Sequence, residues 1–260
     1  MTAKLSTRAK LIKHLRPWLV AFAFLAVWEV ACRALHIPEF VLPTPTRVVQ
    51  ATYEFKELLL MHAWQTLMTT LAGLFIAIVV GVLLGVAIGS SSAVYDSLYP
   101  LLIGFNSIPK VAVVPLIVIW CGIGTIPAII TAFVISFFPI VVNVATGLAS
   151  VEPEMKDVLR VLGASRYEVL TKVGIPRSLP YLFAALKVAI TLAFIGSVVS
   201  ETIASNDGIG YLMLSASSRY QVALIFSGVI VIAIMSIVMF LICVAAERRM
   251  VGWAFRGQPS

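Results

Sequence analysis

Apolar and polar positions fall into long blocks along this chain rather than alternating residue by residue. Apolar runs cover residues 17–35, 63–89, 95–121, 126–149, 180–203 and 221–246. At 1.5 Å per helical residue, each is long enough to cross a hydrocarbon core about 30 Å thick. Lipid offers no partner to backbone N–H and C=O groups, and a helix satisfies them within the run. The pattern therefore predicts an all-α integral membrane protein with about six transmembrane helices, a single membrane domain over residues 17–249.

Four polar blocks frame these runs: residues 1–16, 36–61, 150–180 and 250–260. The second carries Pro38, Pro43 and Pro45, and a surface helix is expected over Val48–Leu60. The first apolar run follows a basic stretch, as in a cleaved signal peptide. It is longer than a usual signal core and lacks a clear small-x-small exit, so a retained first span is expected.

The central block, Ser150–Pro180, has its own punctuation. Pro153 fits only the first turn of a helix, which is expected to run through Leu162 and stop at Gly163. Ser165 and Glu168 form an S-x-x-E capping box that starts a second helix at Arg166. Gly174 and Pro176 are expected to end it, with Ser178 capping a third helix from about Leu179. The first helix places Met155, Val158, Leu159 and Leu162 at spacings that share a face. Such a rod, about 15 Å long, suits two roles: lying in the headgroups as an interfacial helix, or docking a cytoplasmic partner.

Composition supports the membrane reading, since 60% apolar and 12% charged residues leave too little polar surface for a soluble domain. The net charge of +7 is an orientation signal rather than a nucleic-acid footprint. With the N-terminus inside, thirteen Lys and Arg fall on inner segments and four (Arg33, Arg47, Lys56, Arg219) on outer ones. That asymmetry places both termini and the 150–180 block in the cytoplasm.

Several residues stand out within the spans. Gly73, Ala77, Gly81, Gly85 and Gly89 form a ladder of small residues at every fourth position, a surface on which a second helix can pack closely. Pro100, Pro109 and Pro115 should kink the third span and unwind it around Asn106–Lys110. Lys110 reads as the one cation well inside an apolar span, where a charge costs at least about 2.5 kcal/mol. Either a structural partner such as Glu201 neutralises it, or it lines a path that attracts an anion. Asn143 either faces the same cavity or bonds a neighbouring helix. Glu29 and Arg33, four apart, read as a structural pair.

Enzymatic chemistry finds no support. There is no G-x-x-x-x-G-K-[ST] loop to hold ATP. His14, His36 and His62 are scattered, and no Cys/His/carboxylate cluster suggests a metal site or an activated nucleophile. Cys32, Cys121 and Cys243 lie in apolar runs and read as small hydrophobes. No cofactor is expected on this chain.

The residues resemble a family. Asp157-Val158-Leu159, Gly163 and Val173-x-Ile175-Pro176 are similar in spacing to the EAA loop of permease subunits of ATP-binding-cassette importers. LGASRYEVL, FVLPTPTRVV, PKVAVVPLIVIWCGIG and SETIASNDGIGYLM resemble the nitrate, sulfonate and taurine branch, over most of the chain from about Ile37 to Arg249. The usual Glu-Ala-Ala is here Asp157-Val158-Leu159, bulkier at two positions, so the partner's groove should be matched to this chain.

The resemblance implies a MetI-like fold of the type I importers, in a bacterial cytoplasmic membrane. It implies coupling to two ATPase subunits through Asp157, Val158, Leu159, Arg160, Leu162, Gly163, Ala164, Ser165, Ile175 and Pro176, with ATP and Mg held by those subunits. A second permease copy and an extracytoplasmic solute-binding protein would complete the importer. The cargo would be a small polar or anionic solute. The alternative class is an ATP-independent secondary transporter or channel, whose repeat-built folds show matched broken segments in two halves. No such match or long internal repeat is visible.

Overall fold

The computed structural model describes residues 7–253. Residues 1–6 and 254–260, with Lys4 and Arg256 of the expected basic segments, lie outside that description. So do the side chains of residues 7–15, Ser92, Pro153, Lys156 and Arg160. The described elements are helical: α1 (Thr7–Ala34), α2 (Pro45–Glu54), α3 (Lys56–Gly89), α4 (Ser92–Asn106), α5 (Val114–Cys121), α6 (Thr125–Ala149), α7 (Pro153–Val161), α8 (Arg166–Val169), α9 (Ile175–Ala204), α10 (Ile209–Ser218) and α11 (Val222–Met250). Five helical stretches are long and apolar enough to cross a membrane, six if the bent pair α4 and α5 counts as one.

The core is a three-helix seam, with α6 between α3 and α9. Its closeness follows from small side chains. A Cβ added to Gly73 of α3 would stand 2.6 Å from Ala132 Cβ of α6, and one added to Gly196 of α9 would stand 2.8 Å from Ala132 Cα. Below these, Gly81 meets Ile140, Gly85 meets Val144 and Gly89 meets Leu148, each at 2.7–2.9 Å from an added Cβ. Ala77 of the same ladder is fully buried. Backbones approach this closely only where side chains leave room, and dispersion contacts then hold helices together in lipid.

α2 is too short to span and lies across the ends of α1 and α11. Thr44 caps it by accepting the Arg47 N–H, with Pro45 at the first position. The Thr52 hydroxyl donates to Ser227 Oγ of α11 at 2.9 Å. Glu29 of α1 accepts from the Thr46 N–H and hydroxyl (3.1 and 2.8 Å) and pairs with Arg33 at 2.6 Å, so that pair is structural.

Two expectations need correction, and a third is met. The surface helix anticipated over Val48–Leu60 is divided: α2 ends at Glu54, Phe55 leaves helical geometry, and α3 starts at Lys56. Phe55 C=O accepts the Leu59 N–H at 2.9 Å, which lets α3 begin at once. The run 95–121 breaks inside the expected interval Asn106–Lys110: α4, a 3-10 turn over Lys110–Val113 and α5 follow one another with a bend of 73°. Pro100 sits inside α4; the break comes at Ser107–Pro109. Finally, Gly174 and Pro176 do not end the second helix of the central block. A π-helical turn, Leu170–Gly174, joins α8 to α9 so that helix continues from Arg166 to Ala204. Pro176 directly follows the π-helical turn, whose wider bonding, Ile175 N–H to Leu170 C=O, already departs from the regular α-helical ladder.

Candidate functional site

The central block projects as a short helix on a hinge. Along α7 and the turn after it, Met155 and Leu159 are half-buried, whereas Val158, Val161 and Leu162 are exposed, the last two at 88% and 77%. Asp157 also faces outward; the Arg160 side chain lies outside the described residues. Gly163 follows at φ +88°, a left-handed conformation that favours glycine, and Ala164 N–H closes the turn onto Leu159 C=O at 2.9 Å.

The capping box then restarts the helix. Ser165 Oγ accepts the Glu168 N–H at 3.2 Å, and Glu168 Oε2 accepts the Ser165 N–H at 3.0 Å. The Ser165 N–H and hydroxyl, both donating to Glu168 Oε2, with Lys172 at 3.2 Å, hold the Glu168 carboxyl down at about 2, so it stays ionised. From Arg166 to Ala204 the helical stretch has 39 residues, about 58 Å long and nearly twice the hydrocarbon thickness. Its polar beginning, with Glu168, therefore stands outside the bilayer. Val169 and Gly174 are buried; a Cβ on Gly174 would stand 3.1 Å from Leu148 Cδ2 of α6. Gly174 thus packs the root of α9 against the end of α6.

The four polar candidates within the spans divide into separate places. Glu201 is 1% exposed and binds α3 to α10. Thr66 and Thr69 donate their hydroxyls to it at 2.8 and 3.2 Å, and the Gly210 N–H donates at 3.1 Å. The Ile209 N–H donates to Thr66 Oγ1 and the Gly208 N–H to His62 Nδ1. Gly208 has φ +98°, and a Cβ there would overlap the Glu201 carboxyl. Glu201, Thr66, Thr69 and His62 with the N–H groups of Gly208–Gly210 therefore form a buried polar knot, and Glu201 does not neutralise Lys110.

Lys110 sits at the α4–α5 bend. Its ammonium donates to Asn106 Oδ1 and O at 2.7 and 3.2 Å and lies 5.3 Å from the centre of the Phe138 ring. Asn106 and Lys110 are thus brought together, beside a cavity of about 320 Å³ between α3, the bend and α6. Asn143 donates to Pro139 C=O of its own helix at 2.8 Å.

Lys110 is not the only cation within the apolar runs. Lys187 of α9 pairs with Glu247 of α11 at 2.7 Å, with Glu247 6% exposed. Sequence reasoning passed over this pair, although Lys187 lies inside the run 180–203. The signal was present: one opposite charge near the same end of another apolar run.

An all-helical membrane chain whose polar insert projects from a tight helical seam has the build of a transport permease. The chain belongs to the family of binding-protein-dependent transport system inner membrane components, matched over residues 77–252. A probable ABC transporter permease protein of Haemophilus influenzae is 30% identical over 229 residues, 88% of this chain and 94% of the relative. The formylaminopyrimidine transport permease protein ThiX of Halalkalibacterium halodurans is 28% identical over 240 residues, 92% of this chain and 96% of the relative. Further relatives from Escherichia coli and Synechocystis are named as taurine and nitrate permeases. A chain of the inward-facing MetNI methionine ABC transporter shares the fold: TM-score 0.61, 19% identity, 73% of this chain and 94% of that one.

The protein is therefore a multi-pass inner membrane permease of a bacterial ABC importer, and a partner ATPase hydrolyses the ATP. Membership also implies a solute-binding partner.

Proposed function

We propose that two copies of this chain form the path of an importer for a small polar or anionic solute, and that residues 150–180 carry the motion of two ATPase subunits into it. The observation that carries this reading is the projecting α7 with exposed Val158, Val161 and Leu162. An apolar knob that leaves the membrane helices is costly in water unless a partner groove covers it. Asp157, Val158, Leu159, Arg160 and Leu162 enter that groove. Gly163, Ala164 and Ser165 form the hinge, and Ile175 and Pro176 root the lever of α9. ATP and Mg sit on the ATPases. When these close, the docked knobs move together and α9 swings against α6, switching the path between inward and outward access. The termini lie in the cytoplasm, as the distribution of Lys and Arg requires. Asn106, Lys110 and Asn143 face the path, and Glu201 holds its outer end together. Relatives named for taurine, nitrate and formylaminopyrimidine support a small polar cargo.

The test is ATPase activity of the chain co-expressed with its ATPase and reconstituted in liposomes, with and without a binding protein and candidate solutes. Stimulation by binding protein together with one solute is expected and names the cargo. A complex that hydrolyses ATP at one rate under every condition would overturn the coupling assigned to residues 150–180.

A further inference from the structure

The cavity beside the α4–α5 bend is lined by Leu84, Ile88, Phe105, Ile108 and Phe137 among other apolar side chains, and among the described residues Lys110 is the one charged residue on its wall. Its volume, about 320 Å³, falls at the lower end of the range for small-molecule sites. Among the described residues the Lys110 ammonium meets only neutral partners, the Asn106 amide and carbonyl and the Phe138 ring. A cation in low dielectric with neutral partners alone gains most from an anion, because the attraction is weakly screened there.

Depth decides which anion. Phe138 lies near the midpoint of α6, about 17 Å from Ala149 and about 20 Å from Thr125 along the helix. Lipid phosphates sit at the two faces of the bilayer, so a headgroup does not reach this level. A solute passing through the protein does.

We propose that this cavity is a transient binding site for an organic monoanion, its carboxylate or sulfonate on Lys110 and Asn106 and its apolar body against Phe105, Ile108 and Phe137. The inference rests on the reading of Lys110 as part of the path. Asn106 contributes through its amide N–H₂, which is free to donate to an acid oxygen while Oδ1 holds the lysine.

The test is equilibrium dialysis of radiolabelled benzenesulfonate against the purified chain in phosphatidylcholine nanodiscs, with neither ATPase nor binding protein present. Failure of coupled import therefore leaves this readout intact, and failure here leaves the importer reading intact. Wild type and Lys110→Arg are expected to bind saturably, and Lys110→Met at least tenfold more weakly. Uncharged benzenesulfonamide should bind at least tenfold more weakly than benzenesulfonate to wild type and be indifferent to Lys110→Met. Ile108→Trp keeps the charge but fills the cavity from its exposed rim, and should also lose binding. Equal affinity in Lys110→Met, or no binding by wild type, overturns the proposal. Displacement by phosphatidylglycerol in the discs would make the cavity a lipid site, and a change in protomers per disc in Lys110→Met would make it a contact between copies. Either result also overturns the proposal.

Discussion

Glu201 offers the sharpest test of the fold, because its role as an acceptor is separable from its charge. It receives the Thr66 hydroxyl at 2.8 Å, the Gly210 N–H at 3.1 Å and the Thr69 hydroxyl at 3.2 Å. In Glu201→Ala, Thr69 retains Thr66 C=O as an acceptor at 3.0 Å, but the Thr66 hydroxyl and Gly210 N–H lose theirs. Two buried donors left without partners cost about 1–2 kcal/mol each, and the emptied volume adds to that, so the loss should be about 3 kcal/mol. For a domain of this size that lowers Tm by about 6–12 °C. Glu201→Gln keeps one oxygen for Thr66 and Gly210, while its N–H₂ can donate to Thr69 Oγ1; the expected loss is about 1 kcal/mol or less. Thermal unfolding in one detergent, followed by circular dichroism and by loss of monodisperse elution, compares the three proteins. If Glu201→Gln unfolds as early as Glu201→Ala, acceptor capacity is not what the site requires, and the account of the knot is wrong.

Three further outcomes are expected. Gly85→Leu places a side chain where an added Cβ already stands 2.7 Å from Val144 Cβ, so α3 and α6 must separate at a cost of at least ~2 kcal/mol; the same unfolding assay checks it. Lys187→Met leaves Glu247 buried without its partner and should destabilise by about 3 kcal/mol, and adding Glu247→Leu should recover most of the loss in a double-mutant cycle. Gly163→Pro forces φ to about −65° where the hinge has +88°, so the chain should insert normally while ATP-driven uptake in proteoliposomes is abolished. Uptake at the wild-type rate in that variant would remove the hinge from the mechanism.

How legible the protein is in its sequence varies with the range of the interaction. The Ser165–Glu168 box and the stop at Gly163 involve residues three or four apart, and any helix that starts there brings them together. The Gly73–Gly89 ladder marks one face of one helix, which periodicity reveals without knowledge of the neighbour. Local chemistry misled at Gly174 and Pro176: both are helix-ending residues in isolation. There, contact between Gly174 and Leu148 and a π-helical turn carry the helix through. By contrast, the prolines in the run 95–121 announced the bend and its place at Asn106–Lys110, although Pro100 itself remains inside α4.

By itself, then, the sequence determined that this chain is helical, that it lives in a membrane, and where its projecting segment is capped and hinged. Lengths of apolar run and spacings within a turn carry that information. Only the tertiary structure decided who partners whom among the charges within the spans. Lys110 turns to Asn106 four residues away, Glu201 to Thr66 and Thr69 on α3, 135 and 132 residues away, and Lys187 to Glu247 on α11. A helix of given pattern can face its polar side chain toward several neighbours at similar intrinsic cost. The choice is made by how closely the backbones pack, here by Gly73 and Gly196 on either side of Ala132, and that rotation of one helix against another is written in no single stretch of the chain.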